Sequence, residues 1–318
     1  MNELVIRAPN HLGDLVMALP ALEQAKPDAV IAPKGLTSLI ELAGYRSIAY
    51  ETPIRTARQL RKLKFQRGIL FTPSFSTALT FALGRVRQRR GTDTDKRGFL
   101  LTQKVDAALL AHMHRSSVYW LLATGEAPAT RPVPSLVVPD GLAREFQALL
   151  PPSGTAAKRV GIFPGSKAPA RRWGADRFGA LVSKLAPGAQ VVVFGGPDEK
   201  ELTRTVAGDV AIDLGGRTTL PLLAAGLATC DMVITNDSGP LHLAAAVGTP
   251  TISLWGAGDP ARTGPPPGHA TMRDRRLPCL ECVKNQCPRR GPGYILPDAY
   301  LECMQLISVD DVFTSVNS

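Results

Sequence analysis

The feature that most constrains the fold is an alternation of short apolar runs with helical patterns that halts once and then begins again. "ELVIRAP" reads as a strand, and "DLVMALPALEQA" sets Leu15, Ala18, Leu19 and Leu22 at helical spacing. "AVIAP" and "SIAYE" read as strands around the helical "GLTSLIELAG". The basic helix "ARQLRKLKFQRG", the strand "ILFTP" and the helix "SFSTALTFALG" continue the pattern. Such alternation predicts a parallel sheet with helices on both faces. Residues 91–135 are less regular, and a helix around "SSVYWLLATG" is expected to close this half.

The best linker in the chain is "PPSGTAAK", residues 151–158, between helical "GLAREFQALL" and apolar "RVGIFPG". Beyond it the alternation restarts. "ADRFGALVSKLAPG" places Phe178, Leu181, Val182 and Leu185 on one helical face and stops at Pro187-Gly188. The strands "QVVVFGG", "VAIDLGG", "DMVITND" and "PTISLWG" alternate with the helices "DEKELTRTVA", "TLPLLAAGLATC" and "PLHLAAAVG". Runs such as "VVVF" are apolar on both faces, as buried parallel strands should be. The tail "SVDDVFTSV" reads as a short helix capped by Ser308, with Asp311 at the third helical position. At 318 residues the chain is long enough for two cores. The expected fold class is α/β, with two Rossmann-like doubly wound domains facing a central cleft. The expected division is 1–152, 158–305, and a terminal helix at 306–318 packing back on the first domain.

Ligands of such sheets bind beyond the carboxyl ends of the strands, and two polar junctions lie there. In "TNDSGPLHLAAA" the helix is expected to start around Ser238 to Pro240. Its first amides lack intrahelical partners and carry the positive end of the macrodipole. Gly239 lets a ligand approach the backbone, and Pro240 suits an early helical position. A diphosphate, such as that of a sugar nucleotide, fits this junction, although Asn, Asp, Ser and Gly also serve there as plain caps and turns. A lone His242 is more often a packed histidine than a catalyst.

In "IFPGSKAPARRWG", Ser166 can cap or donate to phosphate, with Lys167, Arg171 and Arg172 as cations beside it. Fixed cations stabilise the charge growing on a departing diphosphate. In "GGPDEKE", Asp198 or Glu199 can accept from ribose hydroxyls; an acidic first helical turn explains them equally well. In "NHLGDLVMALPAL", Asp14 at a helix start is ordinarily a cap or dipole partner. Facing a cleft, it can instead take a proton from an acceptor hydroxyl.

Charge and cysteine placement narrow the partners. The formal charge is +10, and between Arg55 and Arg97 there are twelve Lys and Arg against only Asp93 and Asp95. That field favours anions, whether nucleic acid, acidic lipid headgroups or a phosphorylated sugar, unless it is simply a solvated face. Cys230 reads as a buried small residue. Cys279, Cys282, Cys287 and Cys303 could bind zinc or iron, or form a thiol-rich loop packed on the second domain. Asp93-x-Asp95 is too short and too common to mark a metal site, and G-x-G-x-x-G is missing after the first strand, which weakens a dinucleotide-dependent oxidoreductase. No apolar run reaches the length needed to span a bilayer, about 18 residues. The N-terminus lacks the apolar core of a signal peptide, so a cytoplasmic protein is expected.

Taken together, "RAPNHLGDLVMALPAL", "PGSKAPARRWGADRFGALVSKL" and "TNDSGPLHLAAAVGTPTISLWG", in this order, resemble the bacterial ADP-heptose:lipopolysaccharide heptosyltransferases of glycosyltransferase family 9, most nearly the heptosyltransferase II type. "SFSTAL", "KRGFLLT" and the cysteine segment extend the resemblance over nearly the whole chain. It implies a GT-B fold and an inverting transfer of heptose from ADP-heptose to the Kdo- or heptose-bearing lipid A of the inner core, with no metal required. It implies Asp14 as general base and Arg171 at the position of a phosphate-binding lysine. Asp237, Ser238, Gly239 and His242 match the donor motif, Ser166 and Thr218 fall at donor contacts, and Glu199 falls near a ribose contact.

The basic helix, with Arg58, Arg61 and Lys62, together with Ser74, is then expected to meet an anionic acceptor at the inner face of the inner membrane. The chain departs from the pattern at Arg171 (usually lysine), Ser238 (commonly threonine) and Pro73 (usually asparagine). The loop from Pro164 to Trp173 is also about one residue short. Two other readings stand beside this one: a heptosyltransferase acting on a protein or other glycan, and a basic nucleic-acid-binding protein with a cysteine metal cluster. Only 6% of residues are aromatic, and few interleave with the arginines, which disfavours the last and leads us to expect no nucleic-acid partner.

Overall fold

The structure, a computed structural model, describes residues 3–151, 158–273, 277, 279–287 and 301–317. The chain divides into two compact units, Met1–Val137 and Val138–Ser318.

The first unit runs β1 (Leu4–Arg7), α1 (Leu12–Ala25), β2 (Ala29–Pro33), α2 (Thr37–Leu42), β3 (Ser47–Tyr50), α3 (Pro53–Leu63) and β4 (Arg67–Leu70). It continues with α4 (Phe75–Leu83), β5 (Gln88–Thr92), β6 (Gln103–Val105), α5 (Ala107–Leu110) and α6 (Arg115–Thr124). The six strands are parallel, in the order β3-β2-β1-β4-β5-β6. β1 is central because all four of its residues are buried, as a strand covered on both faces requires. Val5, Ile31, Leu70, Phe65 and Phe81 share one core. Gly68 of β4 admits the Phe81 ring, which a Cβ there would meet at 2.5 Å. α1 is buried from Leu15 to Leu22 and packs against α6.

The second unit runs α7 (Asp140–Gln147), β7 (Arg159–Phe163), α8 (Ala175–Leu185), β8 (Gln190–Gly195), α9 (Lys200–Ala207), β9 (Ile212–Gly215), α10 (Leu220–Ala228) and β10 (Met232–Asn236). It continues with α11 (Gly239–Ala246), β11 (Thr251–Leu254), α12 (Pro260–Thr263), β12 (Ala270–Met272), α13 (Glu302–Gln305) and α14 (Val309–Asn317). Its parallel sheet is ordered β12-β11-β10-β7-β8-β9, the same winding as the first. The predicted face of α8, Phe178, Leu181, Val182 and Leu185, packs on Val160, Val191, Val193 and Ile234.

One boundary differs from the sequence expectation. The division falls at Val137 and Val138 rather than near 152, because α7 belongs to the second unit. Phe146 of α7 is fully buried, stacks on Phe194 with ring centroids 5.9 Å apart, and occupies the space left by Gly226 of α10. Residues 152–157 of the expected linker lie outside the described residues. The terminal helix α14 packs on α8, with Val312 and Val316 in the second core. Its start is as expected: the Asp311 amide donates to Ser308 Oγ at 3.1 Å.

In both sheets the order of connection reverses between two central strands, β1 and β4 in one and β7 and β10 in the other, and a crevice is expected beyond their carboxyl ends. In the second unit this point is tied together by Asn236, which is wholly buried. Its Nδ2 donates to the Pro164 carbonyl at 2.7 Å, and its Oδ1 accepts from the Trp173 amide at 3.0 Å. The Trp173 indole in turn donates to the Ile307 carbonyl at 2.9 Å. Asn236→Ala would leave two buried backbone groups unpaired, a loss of about 2–5 kcal/mol. Urea denaturation is expected to show a lower midpoint with an unchanged slope.

Candidate functional site

In the first unit the switch point holds a cavity of about 200 Å³ lined by Pro9, Asn10, His11, Asp14, Phe71, Thr72, Pro73, Arg115 and Tyr119. The loop after β1 supplies Pro9 to His11, the first turn of α1 supplies Asp14, the loop after β4 supplies Phe71 to Pro73, and α6 supplies Arg115 and Tyr119. The His11 side chain makes no cap bond to α1. The Asp14 carboxylate is 28% exposed, and its Oδ1 lies 3.6 Å from Arg115 Nε. The same oxygen accepts from Tyr119 Oη at 3.0 Å. Burial, and then the Asp14 charge, raise the Tyr119 pKa well above its ordinary 10, so this phenol remains a donor. Neither α6 residue was singled out from sequence; Tyr119 sits 105 positions from its partner.

Two buried arginines brace the walls. Arg7 Nη2 donates to Asn10 Oδ1 at 2.6 Å, its Nη1 bonds the Ala8 carbonyl, and its guanidinium lies 4.6 Å from the Tyr50 ring centroid. Burial lowers its pKa to about 10, which leaves it cationic at neutral pH. Arg97, grouped in the sequence with the basic field, is 0% exposed. It donates to the Thr72 carbonyl at 2.6 Å, the Ser74 carbonyl at 3.2 Å, and Thr92 O and Oγ1 at 2.9 Å each. Part of the basic field is therefore internal bracing rather than solvated surface. The signal that could have found it is the apolar "GFLL" that follows Arg97 directly. Asp95 accepts from the Phe75 amide at 2.6 Å and Asp93 pairs with Lys104 at 3.8 Å, so both carboxylates are engaged structurally.

In the second unit α11 starts at Gly239, inside the expected range, with Ser238 as N-cap. The Ser238 side chain makes no cap bond to the helix; its Oγ instead meets Thr235 Oγ1 at 3.1 Å. Pro240 is the second helical residue. Beside this end, Arg171 Nη1 lies 2.9 Å from Asp237 Oδ2. The pair is close but poorly aligned: Arg171 Nε and Asp237 Oδ2 are both buried without a hydrogen bond. Ser166 is buried, with its carbonyl accepting from Arg172 Nε at 2.8 Å, while Lys167 is exposed. His242 is buried within α11. The arrangement presents a cation, an uncapped helix start and a buried carboxylate at one switch point, which suits an anionic ligand.

Other predicted residues fall into different settings. Glu199 Oε2 accepts from the Gly196 amide at 2.8 Å, and the carboxylate lies where a Cβ on Gly165 would go, so it braces its own turn. Thr218 is half-buried next to Thr219, which is the actual cap of α10. Arg58, Arg61 and Lys62 are exposed on α3, and none lines the Asp14 cavity. Ser74 starts α4 with its Oγ 3.1 Å from Thr77 Oγ1. Cys230 is buried, as expected.

The cysteine segment is pinned to the end of β11 by the Glu281 and Val283 amides, which donate to Gly256 and Ala257 carbonyls. Burial first, then the thiols of Cys287, Cys279 and Cys282, push Cys303 up to about 11. As placed, however, no group of three or more His, Cys, Asp or Glu among the described residues is arranged to hold a metal ion.

Comparison with known proteins gives the family and the fold. The profile described as Glycosyltransferase family 9 (heptosyltransferase) matches residues 54–291. The chain is 25% identical to lipooligosaccharide heptosyltransferase 2 of Campylobacter jejuni, over 90% of this chain and 91% of that protein. It is 26% identical to lipooligosaccharide heptosyltransferase 2 of Haemophilus influenzae, over 95% and 98%. The structure of E. coli ADP-heptose LPS heptosyltransferase II shares its fold, with a TM-score of 0.82 at 23% identity, covering 99% of this chain and 97% of that one.

Asp237 makes the fold pH-dependent. Burial raises its pKa from 3.8 to about 6, with Arg171 pulling the other way. The folded chain therefore holds a proton that the unfolded chain sheds between these values. The stability this contributes is complete below the unfolded value and is lost as pH rises through about 6. Relative to Asp237→Asn, the wild type is expected to lose on the order of 2 kcal/mol between pH 4 and pH 7 in urea denaturation.

Proposed function

The chain belongs to glycosyltransferase family 9, the heptosyltransferases, and we propose that it moves heptose from ADP-heptose to the inner core of lipopolysaccharide, a Kdo- or heptose-bearing lipid A, with inversion. The observation that carries this reading is the buried Arg171 Nε without a partner beside the uncapped start of α11. A buried guanidinium donor left open is costly unless a ligand completes it, and a diphosphate does so.

In this reading Arg171, Lys167, Ser166 and the amides at Ser238 and Gly239 hold the diphosphate, with Asp237 and His242 beside it. Thr218 and Glu199 serve the nucleoside. The bond from the anomeric carbon to the diphosphate oxygen breaks, and the charge that grows on the leaving group meets fixed cations and amide dipoles. ADP is a weak base and leaves without a proton. Asp14 takes the proton of the acceptor hydroxyl, help worth about 3–5 kcal/mol of barrier. The transfer as proposed relies on these groups and routes no step through a metal.

The exposed cations Arg58, Arg61 and Lys62, with Ser74, suit an anionic acceptor. Exposed Ile54 on the same helix as the cations, 60% accessible, supports peripheral contact with the inner face of the membrane. Among the described residues no helix is long and apolar enough to cross one. The four clustered cysteines carry a separate proposal, a structural zinc or iron ion outside the reaction. Its support is the Cys-x2-Cys spacing of Cys279 and Cys282, followed by Cys287 and Cys303.

Purified protein given ADP-heptose and Kdo-lipid A is expected to release ADP. Release only with a protein or another glycan would redirect the acceptor, and none with any acceptor would overturn the reading. Asp14→Asn is expected to fold normally and to turn over roughly 10²–10⁴-fold more slowly; near-normal turnover would reject Asp14 as base. For the cysteines, elemental analysis of untagged protein is expected to find about one zinc or iron per chain. A value far below that, with freely labelled thiols, would remove the ion.

A further inference from the structure

Asp14 is held on one side only. Tyr119 Oη donates to Oδ1 at 3.0 Å, Arg115 Nε approaches the same oxygen at 3.6 Å, and no hydrogen bond among the described residues uses Oδ2. We infer that Tyr119 and Arg115 are positioning residues for the transfer: they occupy Oδ1 and leave Oδ2 as the atom that takes the acceptor proton. The inference rests on the reading of Asp14 as the base and goes further, by naming the reacting oxygen and what selects it.

The physical basis is the rigidity of the donor. Tyr119 is 4% exposed in the middle of α6, and its ring packs on Phe71 with centroids 5.1 Å apart. Phe71 lines the same cavity. The phenol cannot swing away without breaking that packing, so the carboxylate plane is set by α6 rather than by the rotamer preference of an aspartate at a helix start. The charged and titratable groups around Asp14 are Arg115 and Tyr119 from α6 and His11 from the start of α1. From the loop after β4 come only Phe71, Thr72 and Pro73.

The step balances. The acceptor oxygen forms a bond to the anomeric carbon as the carbon–diphosphate oxygen bond breaks, its electron pair leaves with ADP, and the hydroxyl proton passes to Oδ2. That proton later goes to solvent. Because Oδ1 already accepts from a phenol that stays protonated, it offers the poorer site for that proton.

The test is steady-state kinetics of Tyr119→Phe with ADP-heptose and Kdo-lipid A, run across about pH 5 to 9. The ring and its packing remain, and only the donor is lost. The expected result is a roughly tenfold fall in kcat, an acid limb of the kcat profile displaced to higher pH, and a KM for ADP-heptose within about twofold of wild type. The displacement follows because a hydrogen bond to a carboxylate favours its charged form. Arg115→Gln, at a half-buried position, is expected to move the limb the same way by less, and it supplies the readout should Tyr119→Phe fail to fold. Wild-type kcat with an unmoved limb in the folded variant, whatever its melting temperature, would overturn the inference. Asp14→Asn run alongside separates the two failures. If Asp14→Asn is slow but Tyr119→Phe is normal, only the positioning role falls; if Asp14→Asn is itself fast, the base reading has failed.

Discussion

A parallel sheet wound in the order 3-2-1-4-5-6 must send the connections from its two central strands to opposite faces, and everything functional here depends on the gap that this opens. The chain builds that sheet twice. In the first unit the loops after β1 and β4 diverge around a cavity containing Asp14. In the second, the loops after β7 and β10 diverge at Gly165 and Asp237, and Asn236 spans the opening with one bond to each side of the loop that follows β7. Neither junction is a cap in the ordinary sense. His11 and Ser238 occupy N-cap positions, and neither side chain bonds the helix it precedes.

Buried charge is handled differently at Arg97 and at Arg171. Arg97 is wholly enclosed, and each of its three nitrogens finds an oxygen acceptor, so its burial is compensated within the protein. Its role is to hold the turn at Thr72 to Ser74. Arg171 is half-buried beside Asp237, with its buried Nε unused. An ion pair buried so incompletely contributes little to stability and is costly to leave open. Burial shifts Asp237 toward its neutral form, and Arg171 only partly offsets it.

Much of the fold was legible because burial on two faces leaves an unmistakable trace. Strands such as "VVVF" and helices such as α8 declare themselves through apolar spacing alone, and α11 begins where the glycine and proline after Ser238 said it should. The boundary near 152 was misjudged because composition marks a linker by its Pro, Ser and Gly, whereas membership of a unit is decided by packing. Phe146 reaches Phe194 and Gly226 across long sequence separations that no local pattern records. That the terminal helix α14 meets α8 through Val312 and Val316 is likewise decided by packing, since its apolar spacing names no partner.

The amino-acid order by itself determined the two-fold repetition of the α/β winding, the junctions where polar residues interrupt it, and Asp14 and Asp237 as the carboxylates at those junctions. These follow from short-range periodicity and from turn chemistry, which act within a few residues. Only the tertiary structure decided that α6 carries the partners of Asp14, that Arg97 is a brace rather than part of a basic surface, and that Arg171 is left with an unused donor. Each of those depends on which distant side chain fills the space next to a charge. That choice is made by close packing, after the strands and helices have formed.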